Sequence, residues 1–214
     1  MSVFVVLDGV DGSGKSTQAE RLVAALARRA AEAGRPAPVH LREPGTTPVG
    51  ERVRALLLDP DLEIGAHAEV LLFAAARRES LTRVIAPALA AGRDVVCDRF
   101  HPSTFAYQGV AGDVGEERVL ALLAEWAGAP APDVEVVLDV DPCAAAGRRG
   151  RARDRIEAKG LAFQERVAEG YRRYVARTPR AVLIDGAADI DTVEARIQAA
   201  LAGLFEADEV RHGR

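Results

Sequence analysis

The chain has 214 residues, 49% of them apolar and 28% charged, the balance of a soluble globular protein long enough for one large domain with its own core. A net charge of −4 excludes an enveloping nucleic-acid surface, which needs a broad basic face, so any basic site is local. Cys97 and Cys143 lack CxxC or His-rich spacing and read as reduced cysteines of a cytoplasmic protein, with no structural metal or disulfide framework.

In chain order, Val3–Leu7 is an uninterrupted apolar run, the pattern of a strand buried on both faces. No secretory signal is predicted ahead of it. Ala19, Leu22, Val23 and Leu26 then recur at helical spacing until Gly34. A short strand, Val39–Leu41, leads into Arg42-Glu43-Pro44-Gly45. Helices are predicted from about Pro48 to Leu58 and from about Ala66 to Ala91, with Pro87 expected to kink or divide the second. The apolar stretch around Val70–Ala76 is broken by Arg77 and Arg78 and is too short to cross a bilayer, so no membrane association is expected.

Asp94–Asp98 is a third strand ending on a carboxylate, followed by helices near Ser103–Tyr107 and Glu116–Ala127. Val134–Asp139 is a fourth strand. An arginine-rich segment, a helix to about Ala176, a fifth strand Ala181–Ile184 and a helix over about Asp191–Phe205 complete the order, with a polar tail at 208–214. Strands alternating with helices predict an α/β fold of P-loop NTPase type. Its expected form is a five-stranded parallel sheet wrapped by helices on both faces. We expect one domain over residues 1–207, with a mobile arginine-rich lid at about 147–160.

Between the first strand and first helix lies Gly9-Val10-Asp11-Gly12-Ser13-Gly14-Lys15-Ser16, a match to GxxxxGK[ST]. The glycines let backbone N–H groups turn onto phosphates, Lys15 reaches the β- and γ-oxygens, and the Ser16 hydroxyl ligates Mg2+. The helix that follows points its positive end at the same anion. Lys15 and Lys159 are the chain's only lysines, which makes a lysine at this spot hard to ascribe to composition. The pattern implies a bound nucleoside triphosphate but does not name the reaction.

Ligands gather at the carboxyl ends of parallel strands. Asp98 sits at such an end and suits a magnesium-linked role, with Arg99 beside it to face a phosphate. Arg42 and Glu43 leave the second strand on the same edge. Phe73 and Arg77 are i and i+4 on one helical face, an aromatic plane with a cation one turn away. Arg148, Arg149, Arg151, Arg153 and Arg155 crowd one window, and like charges so dense imply an anionic partner.

Together, Gly9–Thr17 (GVDGSGKST), Arg42–Gly45 (REPG), Ala68–Arg77 (AEVLLFAAAR), Asp98–Gly109 (DRFHPSTFAYQG) and Asp154–Glu157 (DRIE) resemble the thymidylate kinase family, over nearly the whole chain. The resemblance implies transfer of the ATP γ-phosphoryl to dTMP with Mg2+, and a homodimer. It implies that Gly9–Thr17 binds ATP and that Phe73 stacks on thymine while Arg77 bonds a thymine carbonyl. Ser103 or Thr104 would read the remaining edge with Gln108 nearby, and Tyr107 would sit at the sugar. Arg99 would hold the dTMP phosphate, with Arg42 and Asp11 between the two phosphate groups. Some members carry a catalytic arginine where this chain has Gly12, so the lid is expected to supply it, Arg155 and Arg149 first. Asp8 stands where glutamate is common, Thr46 replaces a frequent glycine, and Phe100 a frequent tyrosine or histidine. The alternatives are a kinase of another pyrimidine nucleotide or deoxynucleoside, and a P-loop switch or transport ATPase, although neither NKxD nor LSGGQ is present.

Overall fold

A run of five apolar residues can be hidden on both faces only at the centre of a sheet, and that is where Val3–Leu7 lies. In this computed structural model, which describes residues 2–149 and 154–212 except the side chains of Arg149, Glu157 and 206–212, all of β1 is buried. The elements run β1 (Phe4–Gly9), α1 (Lys15–Glu32), β2 (Val39–Arg42), α2 (Pro48–Leu58), α3 (Ala66–Ser80), α4 (Ala86–Ala90), β3 (Val95–Asp98), α5 (His101–Thr104), α6 (Glu116–Ala127), β4 (Val134–Asp139), α7 (Pro142–Arg149), α8 (Leu161–Arg177), β5 (Ala181–Asp185) and α9 (Ile190–His212). The sheet has five strands, all parallel as the alternation of elements predicts, and the structure orders them β2-β3-β1-β4-β5.

The period of two divides β1 between two cores. Val3, Val5 and Leu7 pack with Leu22 and Leu26 of α1 and with Val193 and Ile197 of α9. Phe4 and Val6 point the other way, into a core with Val70, Val119, Leu123 and Tyr174 from α3, α6 and α8. Each such buried aliphatic side chain contributes roughly 1.5–3 kcal/mol of transfer free energy. The register aligns Leu7 with Asp98 and Arg42 with Asp98, so the ends of β1, β2 and β3 share one edge.

Three departures from the predicted elements have local causes. The helix expected over 66–91 is interrupted by a π-helical turn, Leu81–Ile85, directly before Pro87. Proline has no N–H to give the preceding turn, so the ladder is disrupted there. The helix expected at 103–107 is a four-residue α5 that widens into a π-helical stretch, Phe105–Ala111. The last helix continues past Phe205 to His212, because a helix can outrun its apolar stripe when its residues are good helix formers.

Candidate active site

The loop after β1 turns through left-handed backbone at Gly12 (φ 85°) and Gly14 (φ 90°). A side chain at Gly12 would be strained in this conformation, which agrees with a chain that does not carry its arginine there. Lys15 is buried against the loop, its Nζ 3.4 Å from the Val10 carbonyl and 3.7 Å from Asp11 Oδ1. Burial, then the nearby Arg99 charge, holds its ammonium below the usual lysine range, so an anion arriving at the loop relieves an existing electrostatic cost. Ser16 Oγ donates to Asp98 Oδ2 at 2.6 Å, which joins the two candidate metal ligands. Asp98 Oδ1 is buried and has no hydrogen-bond partner among the described residues, a fitting state for an oxygen that meets a cation. No group of three or more His, Cys, Asp or Glu that could hold a metal ion converges among the described residues.

Asp8, at the end of the buried strand, is the hub behind this loop. Its Oδ1 accepts from the Gly9 N–H (2.9 Å), Ser103 Oγ (2.7 Å) and Tyr171 OH (2.7 Å), and its Oδ2 from the N–H groups of Phe100 and Ser103 (both 3.0 Å). One fully buried carboxylate thereby ties the P-loop to the turn after β3 and to α8. That turn is what presents Arg99, a non-glycine residue at φ 72°. Its guanidinium donates to Gly9 O (3.2 Å), Ser103 Oγ (2.9 Å) and Tyr171 OH (3.2 Å), and forms an ion pair with Asp11. Tyr107 OH donates to the other Asp11 oxygen at 3.1 Å. Burial pushes the Tyr107 phenol up, against the opposing pull of Arg99, so it stays a donor at neutral pH.

From Asp11 and Arg99 a cleft runs between α2, α3 and the π-helical stretch, with Phe73 on one wall and Thr104, Tyr107 and Gln108 on the other. Glu43 lies in it almost fully buried, with Oε1 unpartnered among the described residues. Burial raises its carboxyl above the usual range, only partly offset by Arg77. Arg77 itself stands behind the wall. It is 1% exposed and donates to Glu43 Oε2 (2.6 Å), Thr104 Oγ1 (3.0 Å) and the Phe100 carbonyl (2.9 Å). It therefore fixes two cleft-lining residues before it can touch anything bound there. Ser103, by contrast, lines the cleft, with its hydroxyl engaged by Asp8 and Arg99.

Arg42 is brought only to the rim, exposed and 3.7 Å from Glu51. Arg155 is not directed at the P-loop: it donates to the Leu57 carbonyl (3.1 Å) and to Glu69 Oε2 (2.5 Å). A buried carboxylate on α3, far away in the chain, gives that cation its partner, which local charge crowding could not reveal. Arg148 is exposed, and the Arg149 side chain, Arg151 and Arg153 lie outside the described residues. Two residues of the site escape sequence reasoning, one in the cleft and one behind it. Arg54 lines the cleft with its Nη1 on the Pro44 carbonyl at 3.1 Å, and burial followed by Arg42 lowers its guanidinium from the ordinary arginine value. On an amphipathic helix that also carries Arg52 nothing marks it out. Tyr171 shares a stripe with Val167, Ala168 and Tyr174 and so looks like core. Asp8 did leave a signal, a carboxylate ending a buried strand as Asp98 does.

The thymidylate kinase family model matches residues 7–197. Over 201 residues the chain is 41% identical to the thymidylate kinase of Symbiobacterium thermophilum, covering 92% of each chain. It is 43% identical over 202 residues to that of a Jannaschia species, covering 92% of this chain and 94% of the other. It resembles the crystal structure of thymidylate kinase from Ehrlichia chaffeensis with a TM-score of 0.76 and 30% identity, over 94% of this chain and 98% of that one. With the family model spanning most of the molecule and the P-loop opening onto an aromatic-walled cleft, this chain belongs to the thymidylate kinase family.

Proposed function

We propose that this protein transfers the γ-phosphoryl group of ATP to the phosphate of dTMP, giving dTDP and ADP. The observation that carries the reading is the continuity of one cleft: its charged end is Asp11 and Arg99 at the P-loop, and its other end is the Phe73 face with Gln108. A phosphate at Arg99 and a ring on Phe73 are the two ends of one nucleotide. The P-loop glycines and Lys15 hold the donor phosphates. Arg99, with Arg54 beside it, orients the acceptor phosphate, and Tyr107 and Asp11 meet the sugar between them. Ser16 and Asp98 would hold Mg2+, which supplies charge neutralisation at the donor phosphates when bound. The acceptor oxygen attacks the γ-phosphorus as ADP leaves. Positioning and fixed charge supply most of the acceleration, since phosphoryl transfer asks little of a strong base.

Three further readings go with this one. The catalytic arginine comes from the segment at 147–160. The protein is a homodimer, a reading supported by exposed Leu56 on α2, Leu71 on α3 and Trp126 on α6, helices packed in succession. The enzyme works in the cytoplasm, consistent with free cysteines and with no described helix long and apolar enough to cross a membrane. ADP release measured with dTMP, dUMP, UMP, CMP and thymidine as acceptors tests the activity. We expect clear preference for dTMP, and turnover favouring CMP or thymidine would refute it.

A further inference from the structure

Glu69 lies in the segment Ala68–Arg77, and the phosphoryl transfer itself leaves it without a task. It is nonetheless 3% exposed, one helical turn before Phe73 on α3. Its two oxygens are divided between two elements. Oε1 accepts from Gln108 Nε2 at 2.8 Å, with Lys159 Nζ 3.6 Å away, and Oε2 accepts from Arg155 Nη2 at 2.5 Å. A carboxylate has only acceptors to offer. The Gln108 amide beside it must therefore present its NH2 group to Glu69 and turn its carbonyl oxygen elsewhere. Gln108 lines the cleft beside Thr104 and Tyr107, and its Oε1 accepts no hydrogen bond among the described residues.

We propose that Glu69 is a specificity-determining positioning residue, which locks the Gln108 amide with its carbonyl toward the cleft and so makes the cleft select a base with a ring N–H on that edge. The inference rests on reading the cleft as a thymine-nucleotide site and adds how it rejects another pyrimidine. Thymine and uracil carry a hydrogen on N3, which the Gln108 carbonyl accepts. Cytosine has a lone pair there, and two acceptors then face each other, a missed pairing that costs binding free energy. Arg155 on the other oxygen, with Lys159 near the one that Gln108 uses, keeps the carboxylate engaged, so Glu69 cannot swing away to let the amide turn.

The test is the ratio of kcat/KM for dTMP to that for dCMP. Glu69→Gln is isosteric but can accept or donate, which frees Gln108 to adopt either orientation. We expect the ratio to fall about ten-fold or more. Glu69→Ala, which deletes the acceptor altogether, is expected to lower it similarly, and thermal melting of both variants reports their folding. In a Gln108→Met background, Glu69→Gln should leave the ratio unchanged, because positioning residues act only through what they position. A ratio preserved in both position-69 variants while both nucleotides lose kcat/KM equally overturns the proposal. So does the same fall of the ratio when Gln108 is already absent. Wild-type protein that fails to use dTMP refutes the underlying activity, whereas a wild-type preference untouched by either variant refutes only this inference.

Discussion

Arg99 joins a left-handed backbone, a nearly buried guanidinium and an ion pair to the P-loop carboxylate Asp11. It is held by the turn that Asp8 braces, so its charge is aimed before any acceptor arrives. Arg99→Ala should raise KM for dTMP on the order of 10–100-fold, the loss expected for charge-assisted hydrogen bonds, with a much smaller change for ATP. Initial rates with each substrate varied in turn measure this, and equal changes would contradict the assignment. His101, two residues on, offers a pH probe. It is buried, stacks on Phe100 with ring centroids 4.3 Å apart and donates from Nε2 to the Ala127 carbonyl at 2.9 Å. Burial first, then the Arg77 and Arg180 charges, hold its pKa well below the ordinary 6.5. The unfolded chain therefore binds the extra proton more readily, and stability should fall as pH drops below about 6.5 toward the folded-state value. Glu43 and Glu135, with raised carboxyl values caused mainly by burial, act with the opposite sign. They destabilise the fold above the unfolded carboxylate range, and that cost is relieved as pH falls. The difference between wild type and His101→Gln isolates the histidine: the variant should lose less stability than wild type between pH 7 and 5 in urea unfolding.

Among the elements, α8 and the π-helical stretch depend on each other most. A Cβ at Gly170 would lie 2.8 Å from Ala106 Cα and 3.1 Å from its Cβ, so α8 can approach only because position 170 has no side chain. One residue on, Tyr171 reaches Asp8, and across the contact the π-helical stretch carries Tyr107 and Gln108. In an exposed helix, Gly→Ala adds stability. Here Gly170→Ala should cost about 1–3 kcal/mol, because the obstacle is backbone that cannot rotate away. It should also raise KM for dTMP before that for ATP. Urea unfolding and initial rates together check this. A stabilised variant with normal kinetics would show that α8 moves freely, contrary to this packing.

For the whole molecule, the order β2-β3-β1-β4-β5 sets donor and acceptor sites side by side. β1 feeds the P-loop and its neighbour β3 feeds the Asp98–Arg99 turn, so two loops far apart in the chain meet at one sheet edge. The outer apolar residues are the surface on which the proposed homodimer rests. Leu71 is 58% and Trp126 61% exposed, and burying such side chains against a second copy is favourable. If the protein is the homodimer proposed above, Leu71→Asp should shift it from dimer to monomer in sedimentation equilibrium. Trp126 is the chain's only tryptophan, so its emission should move to shorter wavelength as wild-type dimer forms. A sedimentation profile unaltered by Leu71→Asp would exclude this face.

What the sequence by itself determined was local or periodic. The strands follow from apolar runs, the P-loop from glycines that free the backbone beside a lysine, and the Ser16–Asp98 pairing from strand ends that must converge. Phe73 and Gln108, which line the cleft, were marked out in the sequence, Phe73 by its helical spacing to Arg77 and Gln108 by the family resemblance. Depth and partnership were not. The i, i+4 spacing puts Arg77 beside Phe73 but cannot say that Arg77 lies behind Glu43 and Thr104. Crowded arginines imply an anion, yet for Arg155 that anion is Glu69, 86 positions away. Asp8 shows the same limit, since its partners Phe100, Ser103 and Tyr171 are 92, 95 and 163 positions distant. Hydrogen bonds at such separations exist only after the sheet has closed, and only the tertiary structure decided which side chains line the cleft and which hold those side chains in place.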